Sequence, residues 1–172
     1  MNFDFPIEQL VKRSDTRFQL KFAAEARERL AAGDGCALSA SRRGLHVLAR
    51  NEDGLAAPVE ALHGMYGASL DVSPPAVRLI TGVQVQEPIM HVRISLPTEY
   101  QEAVKLVMKL RRASVEEEHA RLRNAVLRYE APLARLLGLP AELMRLTCGT
   151  ARYWIVLSHY AMVTDDPGGR AA

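Results

Sequence analysis

The feature that most constrains this chain is a repeated element order. Hydrophobic patterning reads strand–helix–strand–strand–helix–strand twice within 172 residues. In the first half, residues 2–8 alternate in polarity as an opening strand, with Pro6 marking an edge or an end. Ser14 or Asp15 is placed to cap a helix in which Phe18, Phe22, Ala26 and Leu30 recur at helical spacing, and Gly33-Asp34-Gly35 stops it. Two short strands follow, Cys36 to Ser41 and Gly44 to Arg50, joined at Ser41-Arg42-Arg43. A second helix is expected from about Leu55 to Tyr66, with Pro58 in its first turn and Gly67 past its end. Residues 68–80 return as a strand whose apolar side is Leu70, Val72, Val77 and Leu79, interrupted at Pro74-Pro75.

The second half repeats the order. Met90, Val92, Ile94 and Leu96 alternate with His91, Arg93 and Ser95. Pro97-Thr98 opens a helix striped by Tyr100, Val104, Val107, Met108 and Arg111. Residues 114–120 and 124–131 form a hairpin around Arg121 to Arg123. Leu133, Leu136, Leu137, Leu143 and Leu146 mark a helix broken at Gly138-Leu139-Pro140 and ended by Gly149, before a long strand from Tyr153 to Met162. Each half thus suits a split βαβ unit, βαββαβ, in which a four-stranded antiparallel sheet carries two helices on one face. The expected fold class is α+β with two ferredoxin-like domains, residues 1–84 and 85–164, and a mobile tail at 165–172.

Composition removes several classes. The apolar fraction is 48% and the charged fraction 24%, near the average for globular proteins, which makes disordered, collagen-like and coiled-coil readings poor. Net charge is +2, with 10 basic and 10 acidic residues in 1–86 and 12 and 10 in 87–172, so neither half is committed to nucleic acid by its bulk field. No stretch is long enough to cross a bilayer and no leader pattern opens the chain, so a cytoplasmic protein is expected, with neither membrane nor DNA as partner. Heavy Arg use against four lysines suggests a GC-rich bacterial genome. Cys36 and Cys148 read as buried thiols of a reducing compartment, ahead of a long-range disulfide or a redox pair.

Specific residues carry a family resemblance. Glu87-Pro88-Ile89-Met90, the alternating strand, Pro97 and Glu99-Tyr100 resemble the start of the last domain of elongation factor G and its relatives. Arg111-Arg112 matches the paired arginines at the helix end, and Tyr129-Glu130-Ala131-Pro132-Leu133 follows without a gap. Gly138, Leu143, Leu146-Thr147, Gly149 and His159-Tyr160 extend the match over residues 87–163. The first half resembles the family's third domain through Leu30-Ala31, Asp34, Tyr66-Gly67, Val72 and Pro75-x-Val77. There the family's Gly-Glu-Leu-His-Leu turn corresponds to Asn51-Glu52-Asp53-Gly54-Leu55, keeping Glu52 and Leu55.

In that family the last domain faces the base of the ribosomal stalk and large-subunit rRNA. The resemblance therefore implies an RNA or partner contact at Thr147, Gly149 and Arg152, although the family's Gly-Arg-Gly is Gly149-Thr150-Ala151 here and the arginine has moved to Arg152. The basic groups Arg42-Arg43, Lys109-Arg111-Arg112 and Arg121-Arg123-Arg128 supply the remaining candidates, Arg42, Arg43, Arg111, Arg112, Arg121 and Arg123, with Glu116-Glu117-Glu118 beside the third group. Tyr129, Tyr153 and Trp154 read as an interdomain or dimer contact ahead of a base-stacking platform.

Catalytic machinery is not legible. No G-x-x-x-x-G-K-[ST] occurs, so nothing here would grip nucleotide phosphates and GTP turnover is not expected. The five histidines show no metal-ligand spacing, and no cofactor, metal or catalytic nucleophile is expected. The implied function is a non-enzymatic binding module like the C-terminal part of elongation factor G, without the GTPase domain, with ribosome, rRNA or another translation component as partner. The competing reading is a protein–protein interaction or homodimeric assembly domain that keeps the fold without the ribosomal role.

Overall fold

The structure, a computed structural model, describes residues 4–30 and 35–163. The expected stop at Gly33-Asp34, the start of the expected opening strand and the expected tail from Asp165 lie outside the described residues.

The first sheet is built from β1 (Ile7–Arg13), α1 (Gln19–Arg29), β2 (Cys36–Ser41), β3 (Gly44–Ala49), α2 (Asp53–Tyr66), β4 (Leu70–Val72) and β5 (Ala76–Val77). Strand order is β2-β3-β1-β4, with β5 also on β1. Pro74-Pro75 splits the returning strand into β4 and β5, as proline must, because it has no N–H for the ladder. Ser73 rejoins the break: its N–H donates to Leu10 O at 2.9 Å and its Oγ accepts Leu10 N–H at 3.0 Å.

The second sheet comprises β6 (Ile80–Thr81), β7 (Val85–Pro97), α3 (Gln101–Leu110), β8 (Ser114–Ala120), β9 (Asn124–Pro132), α4 (Leu133–Leu136), α5 (Leu139–Leu146) and β10 (Arg152–Met162). Its order is β10-β7-β9-β8, with β6 on β7. Both sheets therefore place the first and third long strands side by side at the centre, and all pairings are antiparallel. The chain is α+β with two ferredoxin-like units, as the repeated pattern implied.

Alternation decides which face is covered. Met90, Val92, Ile94 and Leu96 of β7 and Ala125, Leu127, Tyr129 and Ala131 of β9 are buried, together with Val104 and Met108 of α3 and Leu139 and Leu143 of α5. In the first sheet Ile7, Val11, Leu45, Val47 and Ala49 are buried with Phe22, Ala23 and Ala26 of α1 and Leu55 and Leu62 of α2. Each large aliphatic buried this way contributes about 1.5–3 kcal/mol relative to leaving it in water. No helix among the described residues is long and apolar enough to cross a membrane.

Four local expectations are corrected. The opening strand runs Ile7–Arg13 rather than over 2–8, because Ile7 to Val11 pair with Ala49 to Leu45, a partner that local alternation does not reveal. Helix α1 starts at Gln19, and neither Ser14 nor Asp15 caps it. Ser14 Oγ donates to Ser69 O at 3.1 Å, Asp15 is bound to Arg13, and Phe18 is left exposed. Helix α2 starts at Asp53, where Asn51 Oδ1 accepts the Gly54 N–H at 3.1 Å, so Pro58 falls in its second turn. Leu79 is exposed, since the chain turns there toward the short strand β6.

The loop ahead of α2 meets the second unit. The Glu52 carboxylate accepts the Gly138 N–H at 2.9 Å, Asn51 Nδ2 donates to Ile155 O at 3.4 Å, and Tyr153 OH donates to Asp53 Oδ1 at 3.0 Å. Gly138 has φ +75°, a left-handed conformation that suits glycine and orients this N–H at the break between α4 and α5. Burial, and then the bond to Asp53, push the Tyr153 phenol up to about 12.

Candidate functional site

Two of the expected contacts are consumed by the fold. Thr147 is fully buried. Its Oγ1 donates to Leu143 O at 2.8 Å and accepts the Ala151 N–H at 3.1 Å, so the hydroxyl ties α5 to the start of β10 and cannot touch a partner. The Arg111 guanidinium is spread over Glu142 Oε2 (2.8 and 3.2 Å), Arg135 O (2.7 Å) and Leu137 O (3.0 Å). Such a planar fork bridges a carboxylate and two carbonyls as no lysine does. Arg111 thus clamps α3 to the α4–α5 break.

Both helix ends use one device. After α3, Arg112 is left-handed at φ +54° and Ala113 N–H reaches back to Met108 O at 3.0 Å. After α5, Cys148 and Gly149 are left-handed at φ +50° and +77°, and Gly149 N–H reaches Met144 O at 2.8 Å. These backbone bonds are the six-to-one closures of helix C-termini. Gly149 is therefore an exposed part of the stop that aims the chain into Arg152.

Topology sorts the remaining basic residues. Strand β7 ends where β9 and β10 begin, since Pro97 pairs with Asn124 and Ser95 with Arg152. The β8–β9 turn with Arg121 and Arg123, the Gly149 turn and Arg152 consequently share one end of the second sheet, on opposite edges roughly 10–15 Å apart at the usual strand spacing. Thr98 fastens the β8–β9 turn: its N–H donates to Arg123 O at 3.1 Å and its Oγ1 to Arg121 O at 3.1 Å. Leu122 projects fully into solvent between the two arginines. Arg112 sits at the opposite end with the start of β8, and Arg42 and Arg43 lie in the β2–β3 turn of the first sheet.

The open face of the second sheet adds Arg93, which the charge runs did not single out, to Arg128 and Trp154. Arg93, Arg128 and Trp154 all face away from the helices, with the Arg93 guanidinium 5.6 Å from the Trp154 ring centre. Trp154 is 53% and Val156 55% exposed. They border a hollow of about 400 Å³ together with His91, Glu116 and Arg128. Period-two alternation was the available signal for Arg93. It also separates the three aromatics, because Tyr129 is buried under the helices and Tyr153 is turned to Asp53, leaving Trp154 alone on the open face. Each residue of the acidic run has a neighbour: Glu118 pairs with Lys105 at 2.7 Å, Glu117 with Arg128 at 3.0 Å, and Glu116 lies 3.1 Å from His91.

Residues 84–170, half of the chain, match the family described as elongation factor G C-terminus. The chain belongs to that family. Among curated proteins, 84 residues are 33% identical to the mitochondrial ribosome-releasing factor 2 of Bos taurus, covering 48% of this chain and 11% of that protein. In a separate alignment, 79 residues are 33% identical to elongation factor G of Fervidobacterium nodosum, covering 46% of this chain and 11% of that protein. The chain thus spans a small part of the length of these relatives. Within the elongation factor G C-terminus family match lie the Arg111 clamp, the Thr147 tie, the Arg121–Arg123 turn and the open sheet face.

Proposed function

We propose that the chain is a non-enzymatic, translation-factor-like module that docks on the ribosome, with rRNA phosphates read by the end of the second sheet that carries Arg121, Arg123, Gly149 and Arg152. The observation that carries this reading is the convergence of those residues within the matched family segment. Arginines held on two edges of one rigid sheet end suit phosphates, and the exposed Gly149 turn offers backbone that a phosphate approaches closely. The same reading takes residues 1–84 as the counterpart of the family's third domain and 85–164 as that of its last. These 172 residues contain no phosphate loop, so GTP hydrolysis is not attributed to them.

Co-sedimentation with purified ribosomes tests the reading. Binding is expected at low salt, falling steeply as salt rises, and lost when Arg121, Arg123 and Arg152 are replaced together by Glu. Absence from ribosomal fractions at low salt, or undiminished binding by the triple variant, refutes it.

A second reading, a homodimer or protein–protein assembly through the open sheet face, is favoured by the exposure of Trp154 and Val156. Light scattering distinguishes it: a dimer abolished by Trp154→Glu, with ribosome binding absent, replaces the first reading with the second.

A further inference from the structure

The open face of the second sheet gathers a cluster drawn from all four of its long strands. His91 on β7 is paired in register with Glu130 on β9. His91 Nδ1 lies 3.1 Å from Glu116 Oε1 on β8 and 3.9 Å from Glu130 Oε1, and the ligand atoms of these three residues all lie within 4.8 Å of one another. From β10, His159 Nδ1 stands 3.6 Å from Glu130 Oε1, and Ser158 Oγ donates to that same oxygen at 3.1 Å.

Both register slips in this sheet open onto the cluster. The β8–β9 pairing slips between Val115 and Glu117, so that Glu117 takes the place opposite Arg128 and Glu116 is the extra residue. The β10–β7 pairing slips between Leu157 and His159, leaving Ser158 as the extra residue. Bulges re-aim side chains at sheet edges. Here the extra residue of each slip joins the cluster: Glu116 Oε1 approaches His91, and Ser158 Oγ donates to Glu130.

The spacing is close to that of a coordination sphere. Ligand atoms around a tetrahedral ion with bonds of about 2.0–2.2 Å stand roughly 3.3–3.6 Å apart. The 3.1 and 3.9 Å separations around His91 bracket that range. An imidazole combined with two carboxylates is a donor set for zinc-like ions, whereas calcium and magnesium take oxygen alone. Neighbouring cations do not occupy the place, since Arg128 is held by Glu117 at 3.0 Å and Arg93 lies over Trp154. We propose that His91, Glu116 and Glu130 bind one divalent transition-metal ion of the zinc class, with water completing the sphere and with Ser158 and His159 orienting the Glu130 carboxylate. Such an ion cross-links β7, β8 and β9 on the face opposite the helices. The three ligands lie far apart in sequence, which is why ligand spacing did not reveal them.

Calorimetric titration of the untagged full chain with Zn²⁺, and visible absorption on adding Co²⁺, test the site. One equivalent is expected to bind, with affinity reduced roughly tenfold or more in His91→Gln and in Glu116→Gln. His63→Gln, an exposed position on α2, is expected to bind as the parent does. His91 and Glu116 are solvent-accessible, so both variants are expected to keep the parent circular dichroism spectrum. A chain that takes up no Zn²⁺ at millimolar concentration overturns the proposal, as do folded His91→Gln and Glu116→Gln variants that bind as tightly as the parent. Equal competition by Mg²⁺ overturns the assignment to the zinc class.

Discussion

The Glu52 carboxylate and the Gly138 backbone nitrogen stand 2.9 Å apart across 86 positions of chain. Burial at this junction raises the Glu52 pKa above its ordinary 4.5, an effect that the Gly138 N–H only partly offsets. The folded state therefore holds the proton more tightly than the unfolded state. Folding stability must then fall as pH rises from about 4.5 through the raised value. Glu52→Gln keeps an oxygen for Gly138 and removes the half-buried charge. It is expected to be more stable than the parent at pH 7, with the difference vanishing below pH ~4. Urea denaturation across that range checks this; a pH-independent difference contradicts it.

Arg111 predicts a second outcome. Arg111→Lys keeps the charge but loses the fork that spans Glu142, Arg135 O and Leu137 O. A loss of about 1–3 kcal/mol is expected, most of it retained when Glu142→Gln is combined with it, since the carbonyls are still left unpaired. Equilibrium unfolding of the single and double variants measures the coupling.

Thr147→Val is close to isosteric, yet it removes both roles of a buried hydroxyl and strands the Ala151 N–H. It should cost about 1–3 kcal/mol, whereas Thr147→Ser preserves both bonds and should cost less. Comparable losses for the two variants in thermal unfolding would remove the hydrogen bonds as the reason for threonine here.

Tyr129 offers the opposite sign. Its hydroxyl is buried without a hydrogen-bond partner, and burial, followed by the nearby Glu118 charge, pushes the phenol up to about 12. Tyr129→Phe removes an unsatisfied polar group while leaving the ring packed. It is expected to be neutral or up to about 1 kcal/mol stabilising, measured by guanidinium denaturation.

Much of the second unit was legible because its determinants are local. The alternation from Ile89 to Leu96 and the hairpin at 114–120 and 124–131 appear where patterning placed them, and the expected helix break at Gly138-Leu139-Pro140 falls at Leu137-Gly138, with Leu139 and Pro140 opening α5. The opening of the chain was misread for the converse reason. The pairing of Ile7 to Val11 with Ala49 to Leu45 sets the strand, and the cap signals of Ser14 and Asp15 are spent on Ser69 O and Arg13. Among the contact candidates, no local signal distinguished Arg111 and Thr147, which the fold consumes, from Arg121, Arg123 and Arg152, which it leaves at one sheet end.

By itself the chain's order of residues determined the repeated βαββαβ plan, because periods of two and 3.6 residues are written into neighbouring side chains. Only the tertiary structure decided which polar groups meet. Antiparallel register and two one-residue slips set His91, Glu116, Glu130 and Ser158 together and turned Tyr129 away from Trp154. The physical reason is that a strand's face depends on its partner's register, and a slip of one position moves a side chain to a different neighbour or to the other side of the sheet.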